Sequence, residues 1–264
     1  MATAEINGQG LYYEDSGGDL PAVVFMHGFL FDQTMFDPQV EYLRADYRCI
    51  RFDARTLGQT RWDGRPFSLY DTAADAIGLL DQLGIQQAAF VGMSQGGYTL
   101  VRLALRYPER VSAAVFLSTY NGIDTDEVKA IYRSMRDGFA GDGKAEVINV
   151  FAQLFLGTHQ ALRAYWIPRW QALPAANVFH GMNTLIDRDE ISSAKAGQIT
   201  APTLVMHGEG DQGIPMALAE RTLVRVLPHV KGLVRIPGGA HAANLMNPEA
   251  TNPPLKAFLD TYAR

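Results

Sequence analysis

Short runs of apolar residues alternate with stretches of helical periodicity along this chain, and the alternation limits the folds open to it. The runs have four to six residues bounded by Gly, Asp or Pro, which is typical of strands buried on both faces. They are Val23–Met26, Cys49–Phe52, Ala88–Met93, Ala113–Leu117, Thr203–Met206 and Leu233–Ile236. Helical periodicity covers Ser68–Leu83 and Gly97–Tyr107. This order predicts an α/β fold with a mostly parallel central sheet flanked by helices.

Two segments depart from the alternation. Asn7-Gly8 separates two short apolar segments near the start of the chain, which predicts a hairpin because Asn-Gly readily adopts positive φ angles. Residues 120–197 are aromatic and helix-like and contain no convincing strand, so we expect a helical cap inserted in the domain. Residues 1–119 and 198–264 then form the core domain.

Composition excludes several classes of protein. The chain has 264 residues, 47% of them hydrophobic and 19% charged, which is typical of a globular protein. The net charge of −5 without a basic stripe argues against a nucleic-acid partner. There is no apolar stretch long enough to cross a membrane and no signal peptide, and the single cysteine, Cys49, fits a reducing compartment. We expect a cytoplasmic monomer or homodimer without membrane contact.

The segment Gly92-Met93-Ser94-Gln95-Gly96 matches the pattern Gly-x-Ser-x-Gly. It follows an apolar strand and opens an amphipathic helix, so the serine lies on a sharp strand-to-helix turn. Small residues two positions before and after such a serine avoid clashes in the strained backbone. We therefore predict that Ser94 is a catalytic nucleophile; the alternative is an ordinary turn with a capping serine.

A serine nucleophile needs a histidine base, and the base needs an acid that fixes its tautomer. Asp211 and His241 each follow one of the last two predicted strands, and the carboxyl ends of parallel strands are where such sheets place active sites. The order Ser94, Asp211, His241 predicts a catalytic triad. Asp124, after an earlier strand, is the alternative acid.

Acyl transfer also needs two N–H groups directed at the developing oxyanion. The residue after the nucleophile, Gln95, supplies one in this interpretation. The second comes from the loop His27-Gly28-Phe29, in which Gly28 lets the backbone turn and Phe29 offers its amide. We expect His27 to brace this loop; the alternative is a second base.

With these motifs the chain resembles the α/β-hydrolase superfamily over most of its length outside the cap, and the small cofactor-free esterases and lactonases of the enol-lactone hydrolase type in particular. The segments that carry the resemblance are His27–Phe29, Gly92–Gly97, Tyr107–Val111, Ala201–Thr203 with Asp211, and His241–Asn244. The chain departs from relatives at Asp53–Thr60, where Thr56-Leu57 stands in place of the usual Gly-His before Gly58, and at Ala240, where glycine often precedes the base.

These features predict a serine hydrolase that cleaves a neutral, mostly apolar ester or lactone without metal or cofactor. A serine-type C–C hydrolase or a perhydrolase uses the same triad and stays open, as does a small-molecule receptor with the same fold. The cap and the loops beside the nucleophile supply candidate pocket residues, namely Leu30, Met93, Phe155, Trp166 and Met182. A strongly charged substrate would need a cation from the cap, for which the candidates are Arg133, Arg136, Arg163 and Arg169.

Overall fold

The computed structural model describes residues 2–263, so Met1 and Arg264 at the ends of the predicted core lie outside the described residues. The strands are β1 (Ala2–Ile6), β2 (Gln9–Asp15), β3 (Ala22–Met26), β4 (Arg48–Phe52), β5 (Ala88–Met93), β6 (Val111–Leu117), β7 (Thr203–Gly208) and β8 (Val230–Ile236). The helices of the core are α1 (Asp37–Leu43), α2 (Leu69–Gln82), α3 (Gln95–Arg106), α9 (Met216–Ala219), α10 (Ala243–Met246) and α11 (Pro248–Tyr262). Those between β6 and β7 are α4 (Asp126–Ala140), α5 (Lys144–Leu156), α6 (Gln160–Ala172), α7 (Ala175–Ile186) and α8 (Ser193–Ala196).

All eight strands form one sheet in the order β1-β2-β4-β3-β5-β6-β7-β8. The pairs β1–β2 and β2–β4 are antiparallel, and the remaining neighbours are parallel. The predicted α/β-hydrolase fold, with its mostly parallel sheet and flanking helices, is confirmed. The hairpin β1–β2 turns at Asn7 and Gly8, both with positive φ, as an Asn-Gly turn requires.

The two faces of the sheet bury alternate residues of the same strands. In β3, Val23 and Phe25 belong to one hydrophobic cluster, while Val24 and Met26 belong to the other. Helices α2 and α3 cover the second face, and α1 and α11 cover the first. Because both faces are covered, β3 is buried throughout, which explains its uninterrupted apolar sequence.

The predicted helices are present with small shifts at their ends. Helix α2 begins after Ser68, whose hydroxyl caps the amide of Asp71 in a capping box. Helix α3 begins at Gln95, two residues earlier than its periodicity predicts. The difference arises because Gly96 and Gly97 continue the helix directly from the turn at Ser94, although they show no amphipathic periodicity.

Helices α4 to α8 form the insertion, and α4 packs against both α5 and α7. We call these helices the cap; its exact limits, 120 and 197, remain a prediction. Within residues 2–263, no helix has the length and apolarity needed to cross a membrane.

Candidate active site

Ser94 lies on the turn between the central strand β5 and helix α3, with φ +50° and ψ −112°. A Cβ atom on Gly92 would lie 2.5 Å from the carbonyl oxygen of Gly96, and one on Gly96 would lie 2.0 Å from that of Met26. Neither site therefore accepts a side chain. The two glycines let the backbone take a conformation that L-residues rarely adopt, and this projects Ser94 beyond the carboxyl edge of the sheet.

His241 and Asp211 complete a hydrogen-bonded chain with Ser94. The Oγ atom of Ser94 and Nε2 of His241 are 2.8 Å apart, and Nδ1 of His241 lies 2.8 Å from Oδ2 of Asp211. A carboxylate only accepts, so Nδ1 carries the proton and Nε2 is free to accept from the serine hydroxyl. All three side chains are largely buried. The structure thus brings together the three residues that the sequence predicts as a triad.

Asp211 is surrounded by donors. Burial opposes its ionisation, but the electrostatic interaction with His241, hydrogen bonds from His207 and His241, and the backbone amide of Ile214 together lower the pKa of Asp211 well below its usual range. Its Oδ1 accepts from the amides of Gly213 and Ile214, each at 2.9 Å. The carboxylate is therefore held in the ionised form that orients an imidazole.

His207 is a partner of Asp211 that sequence reasoning missed. Its Nε2 lies 2.7 Å from the carbonyl oxygen of Ile214 and 3.3 Å from Oδ2 of Asp211. Both neighbours are acceptors, so Nε2 carries the proton. The sequence signal that could have identified His207 is its position at the end of a predicted strand, where active-site residues lie in parallel sheets.

Asp124, the alternative acid, has other partners. Its Oδ2 accepts from Arg188 at 2.7 Å, and its Oδ1 accepts from the hydroxyl of Tyr120 at 2.6 Å. Arg188 is buried and also donates to the carbonyl oxygens of Gly122 and Leu185. Sequence reasoning missed Arg188 because it lies between Asp187 and Asp189, and such a run of charged residues is typical of an exposed turn.

The amides of Phe29 and Gln95 lie beside the nucleophile. Gly28 brings its loop against β5, since a Cβ there would be 2.5 Å from Sδ of Met93 and 3.3 Å from Cβ of Ser94. Gln95 follows Ser94 and is the first residue of α3, so its N–H has no acceptor within the helix. Within residues 2–263, neither amide donates a hydrogen bond. Both are therefore available to a ligand oxygen.

His27 braces the loop after β3. The amide of Ala54 donates to its Nε2 at 2.9 Å, so Nδ1 carries the proton and lies 2.9 Å from the carbonyl oxygen of Gly28. Asp53 supports the same region by accepting from the amides of Gln33 and Gln59. These bonds tie the segment after β4 to the loop after β3.

The cap contacts the base directly. The ring of Phe155 on α5 lies 5.2 Å from the ring of His241. The backbone amide of Ala242 donates to the carbonyl oxygen of Phe155 at 2.9 Å, and that of His241 to Leu154 at 3.4 Å. The end of α5 therefore helps to position the loop that carries the base.

The other predicted pocket residues are placed differently. Leu30 and Trp166 line a cavity of about 540 Å³ between α6 and the core, and none of the triad residues lines it. Phe31 and Phe155 contribute rings, 5.7 Å apart, between this cavity and His241. Met93 is buried under Gly28, and Met182 is buried on α7.

Three of the four arginines that the sequence offers as substrate-binding cations have hydrogen-bond partners within the cap. Arg136 donates to Asp137 and Asn183, Arg163 to the carbonyl oxygen of Gly157, and Arg169 to that of Tyr165. Arg133 is exposed.

Comparison with known proteins identifies the family of this chain. Residues 21–248 match the model of a family described as having the alpha/beta hydrolase fold. A putative non-heme chloroperoxidase of Synechocystis is 31% identical, with 94% of each chain covered. A bifunctional esterase/perhydrolase of Acinetobacter calcoaceticus is 25% identical over 96% of this chain and 97% of its own. The enol-lactonase of Burkholderia xenovorans superposes with a TM-score of 0.89 at 23% identity, covering 98% of this chain and 99% of its own.

Proposed function

Because the chain belongs to the α/β-hydrolase family and is an enzyme of that family, we propose that it cleaves carboxylic esters or lactones through an acyl-enzyme on Ser94. The observation that carries the proposal is the chain of two 2.8 Å contacts from Ser94 through His241 to Asp211. It supplies a nucleophile, a base and an orienting acid beside two amides that have no acceptor among the described residues.

Acylation begins when Nε2 of His241 takes the proton of Ser94 and Oγ attacks the carbonyl carbon. Asp211 keeps the imidazole in the required tautomer and stabilises the imidazolium that forms. The amides of Phe29 and Gln95 donate to the oxyanion of the tetrahedral intermediate. Collapse breaks the bond to the leaving oxygen, which receives its proton from His241.

Deacylation repeats these steps with water as the nucleophile. His241 takes a proton from water, the resulting hydroxide attacks the acyl carbon, and Ser94 recovers its proton. An ester then gives an acid and an alcohol. A lactone gives one hydroxy acid, because its leaving oxygen remains attached to the acyl chain.

We further propose a neutral, mostly apolar substrate with an aromatic or medium-length portion. Phe155 covers His241, and Phe151 stacks on Phe155 with ring centroids 5.3 Å apart. The four candidate arginines of the cap have partners elsewhere or are exposed. An anionic substrate would therefore find apolar rings at the base, where its charge is poorly solvated.

Turnover of 4-nitrophenyl acetate, compared between the wild type and Ser94→Ala, tests the activity. A fluorophosphonate should add to Ser94, which mass spectrometry of the peptides locates. Turnover that persists in Ser94→Ala would contradict the proposal. Tight ligand binding without serine-dependent turnover would instead favour the receptor alternative.

Perhydrolysis is a second candidate, because one relative is named a bifunctional esterase/perhydrolase. Here hydrogen peroxide replaces water: it gives a proton to His241 and attacks the acyl carbon, the bond to Ser94 breaks, and the acyl group leaves as a peracid while Ser94 recovers its proton from His241. Adding peroxide to an acetate ester and measuring peracetic acid distinguishes perhydrolysis from hydrolysis.

A panel of neutral esters, aliphatic and aromatic lactones, anionic enol-lactones and C–C cleavage substrates tests the substrate class. Turnover of only the anionic substrates would contradict an apolar pocket.

A further inference from the structure

Helix α7 of the cap has a glycine in its interior, at Gly181. Glycine is the least favourable residue after proline in a helix interior, so its presence there calls for a packing reason. A Cβ atom on Gly181 would lie 3.1 Å from Cε2 of Phe29 and 3.1 Å from Oγ1 of Thr56. The missing side chain allows α7 to approach the loop that carries Phe29.

The same glycine is joined to Gln95. The side-chain Nε2 of Gln95 donates to the carbonyl oxygen of Gly181 at 3.1 Å and to Oγ1 of Thr184 at 2.8 Å. The hydroxyl of Thr184 donates in turn to the carbonyl oxygen of Gly181 at 2.8 Å. The side chains of Gln95 and Thr184 are buried, and both N–H groups of the Gln95 amide have acceptors.

Phe29 and Gln95 are the two residues whose amides bind the oxyanion in the proposed function, and they come from separate elements of the core, the loop after β3 and the start of α3. Gly181 lies against Phe29 and accepts from Gln95, and Thr184, on the same helix, also accepts from Gln95. Asn177, one turn earlier, fixes the helix to the core by donating to the carbonyl oxygen of Thr56 at 2.8 Å. The geometry of the oxyanion site therefore depends on where α7 lies.

We infer that α7 is the element of the cap that positions the oxyanion site, with Gly181 and Thr184 as positioning residues. This inference rests on the proposed function. Neither residue touches the reacting atoms; each acts through Phe29 or Gln95. A displacement of α7 reduces stabilisation of the transition state and leaves the binding of the ground state largely unchanged, so kcat changes while KM does not.

The test measures kcat and KM for 4-nitrophenyl acetate in Gly181→Ala, Thr184→Val and Thr184→Ser. An alanine at 181 must push the Phe29 ring by a few tenths of an ångström, and valine at 184 removes an acceptor of Gln95. We expect each to lower kcat about tenfold with KM within about twofold, and the hydroxyl of Thr184→Ser to retain wild-type kcat. Gly138→Ala, on helix α4 of the cap with only Val147 near its Cβ, is the matched control and should keep kcat unchanged.

Wild-type kcat in folded Gly181→Ala and Thr184→Val would overturn the inference, as would equal losses in Thr184→Ser and Thr184→Val. If Gly181→Ala does not fold, the difference in kcat between Thr184→Val and Thr184→Ser tests the inference by itself. Ser94→Ala, measured in parallel, distinguishes a failure of this inference from a failure of the proposed function. Loss of turnover there with no effect at 181 and 184 contradicts only the inference, whereas retained turnover contradicts the proposed function and the inference with it.

Discussion

Arg188 donates from Nη1 to Oδ2 of Asp124 across 2.7 Å, and both side chains are buried at the base of the cap. The guanidinium also lies over the ring of Tyr98, 4.3 Å from its centroid. The pair joins the segment that leaves β6 to the segment that follows α7. Asp124 thus stabilises the attachment of the cap, and Asp211 is left as the partner of His241.

Asp211→Asn should therefore abolish most of the activity, whereas Asp124→Asn should lower stability and leave activity nearly unchanged. Asparagine at 211 no longer enforces the Nδ1-protonated tautomer, and we expect kcat to fall about 10⁴-fold. Asparagine at 124 leaves the buried Arg188 without its counter-charge, so we expect about 3 kcal/mol less unfolding free energy and near-wild-type kcat. Steady-state kinetics and urea unfolding measure these quantities. A large loss of kcat in folded Asp124→Asn, with kcat retained in Asp211→Asn, would contradict the assignment of Asp211 as the triad acid.

The lowered pKa of Asp211 makes a prediction about stability in acid. A carboxyl group whose pKa is lower in the folded than in the unfolded state contributes stability above its unfolded pKa of about 4, and this contribution is lost as pH falls through the folded pKa. The difference in unfolding free energy between the wild type and Asp211→Asn should therefore shrink steadily below about pH 4. Urea unfolding between pH 7 and pH 2 measures it, with the exposed Asp142→Asn as control. A difference that grows toward low pH would contradict the predicted sign.

The backbone at Ser94 makes Gly96 intolerant of any side chain. In Gly96→Ala the new Cβ would meet the carbonyl oxygen of Met26 at 2.0 Å, and a backbone atom cannot rotate away. We expect about 3 kcal/mol of destabilisation together with loss of activity. Gly232→Ala in β8 is the control, because its nearest neighbour, Cδ1 of Leu204, is at an ordinary 3.6 Å. Equal stability of the two variants in thermal unfolding would be inconsistent with a sterically enforced turn.

Phe155 covers His241, so its removal should affect substrate binding. We expect Phe155→Ala to raise KM for aryl esters several-fold more than for short aliphatic esters, because about 25 cal/mol of binding is lost per Å² of apolar contact. Val150→Ala, on the exposed side of the same helix, should leave both KM values unchanged. Equal changes for aryl and aliphatic esters would argue against an aromatic pocket at this position.

Much of the fold and part of the candidate site can be predicted from local sequence. An apolar run such as that of β5 has to be buried, and glycines at 92 and 96 permit the turn at Ser94; both constraints act between near neighbours in the chain. The carboxyl ends of parallel strands lie along one edge of the sheet, which is enough to bring Asp211 and His241 toward Ser94. These inferences need only periodicity, steric limits and strand order.

Other features were decided only by the tertiary structure. Arg188 and Asp124 are 64 residues apart, and Gln95 and Gly181 are 86 apart. The residues next to Arg188 in the sequence do not indicate which carboxylate it pairs with, because that carboxylate belongs to a distant segment. The residues next to Gly181 likewise do not indicate which side chain packs against it. Burial then makes such a contact specific, since a polar group removed from water must find its hydrogen bonds within the protein. Chain order therefore predicts the reacting residues, whereas the packing of the cap determines what holds Phe29 and Gln95 in place.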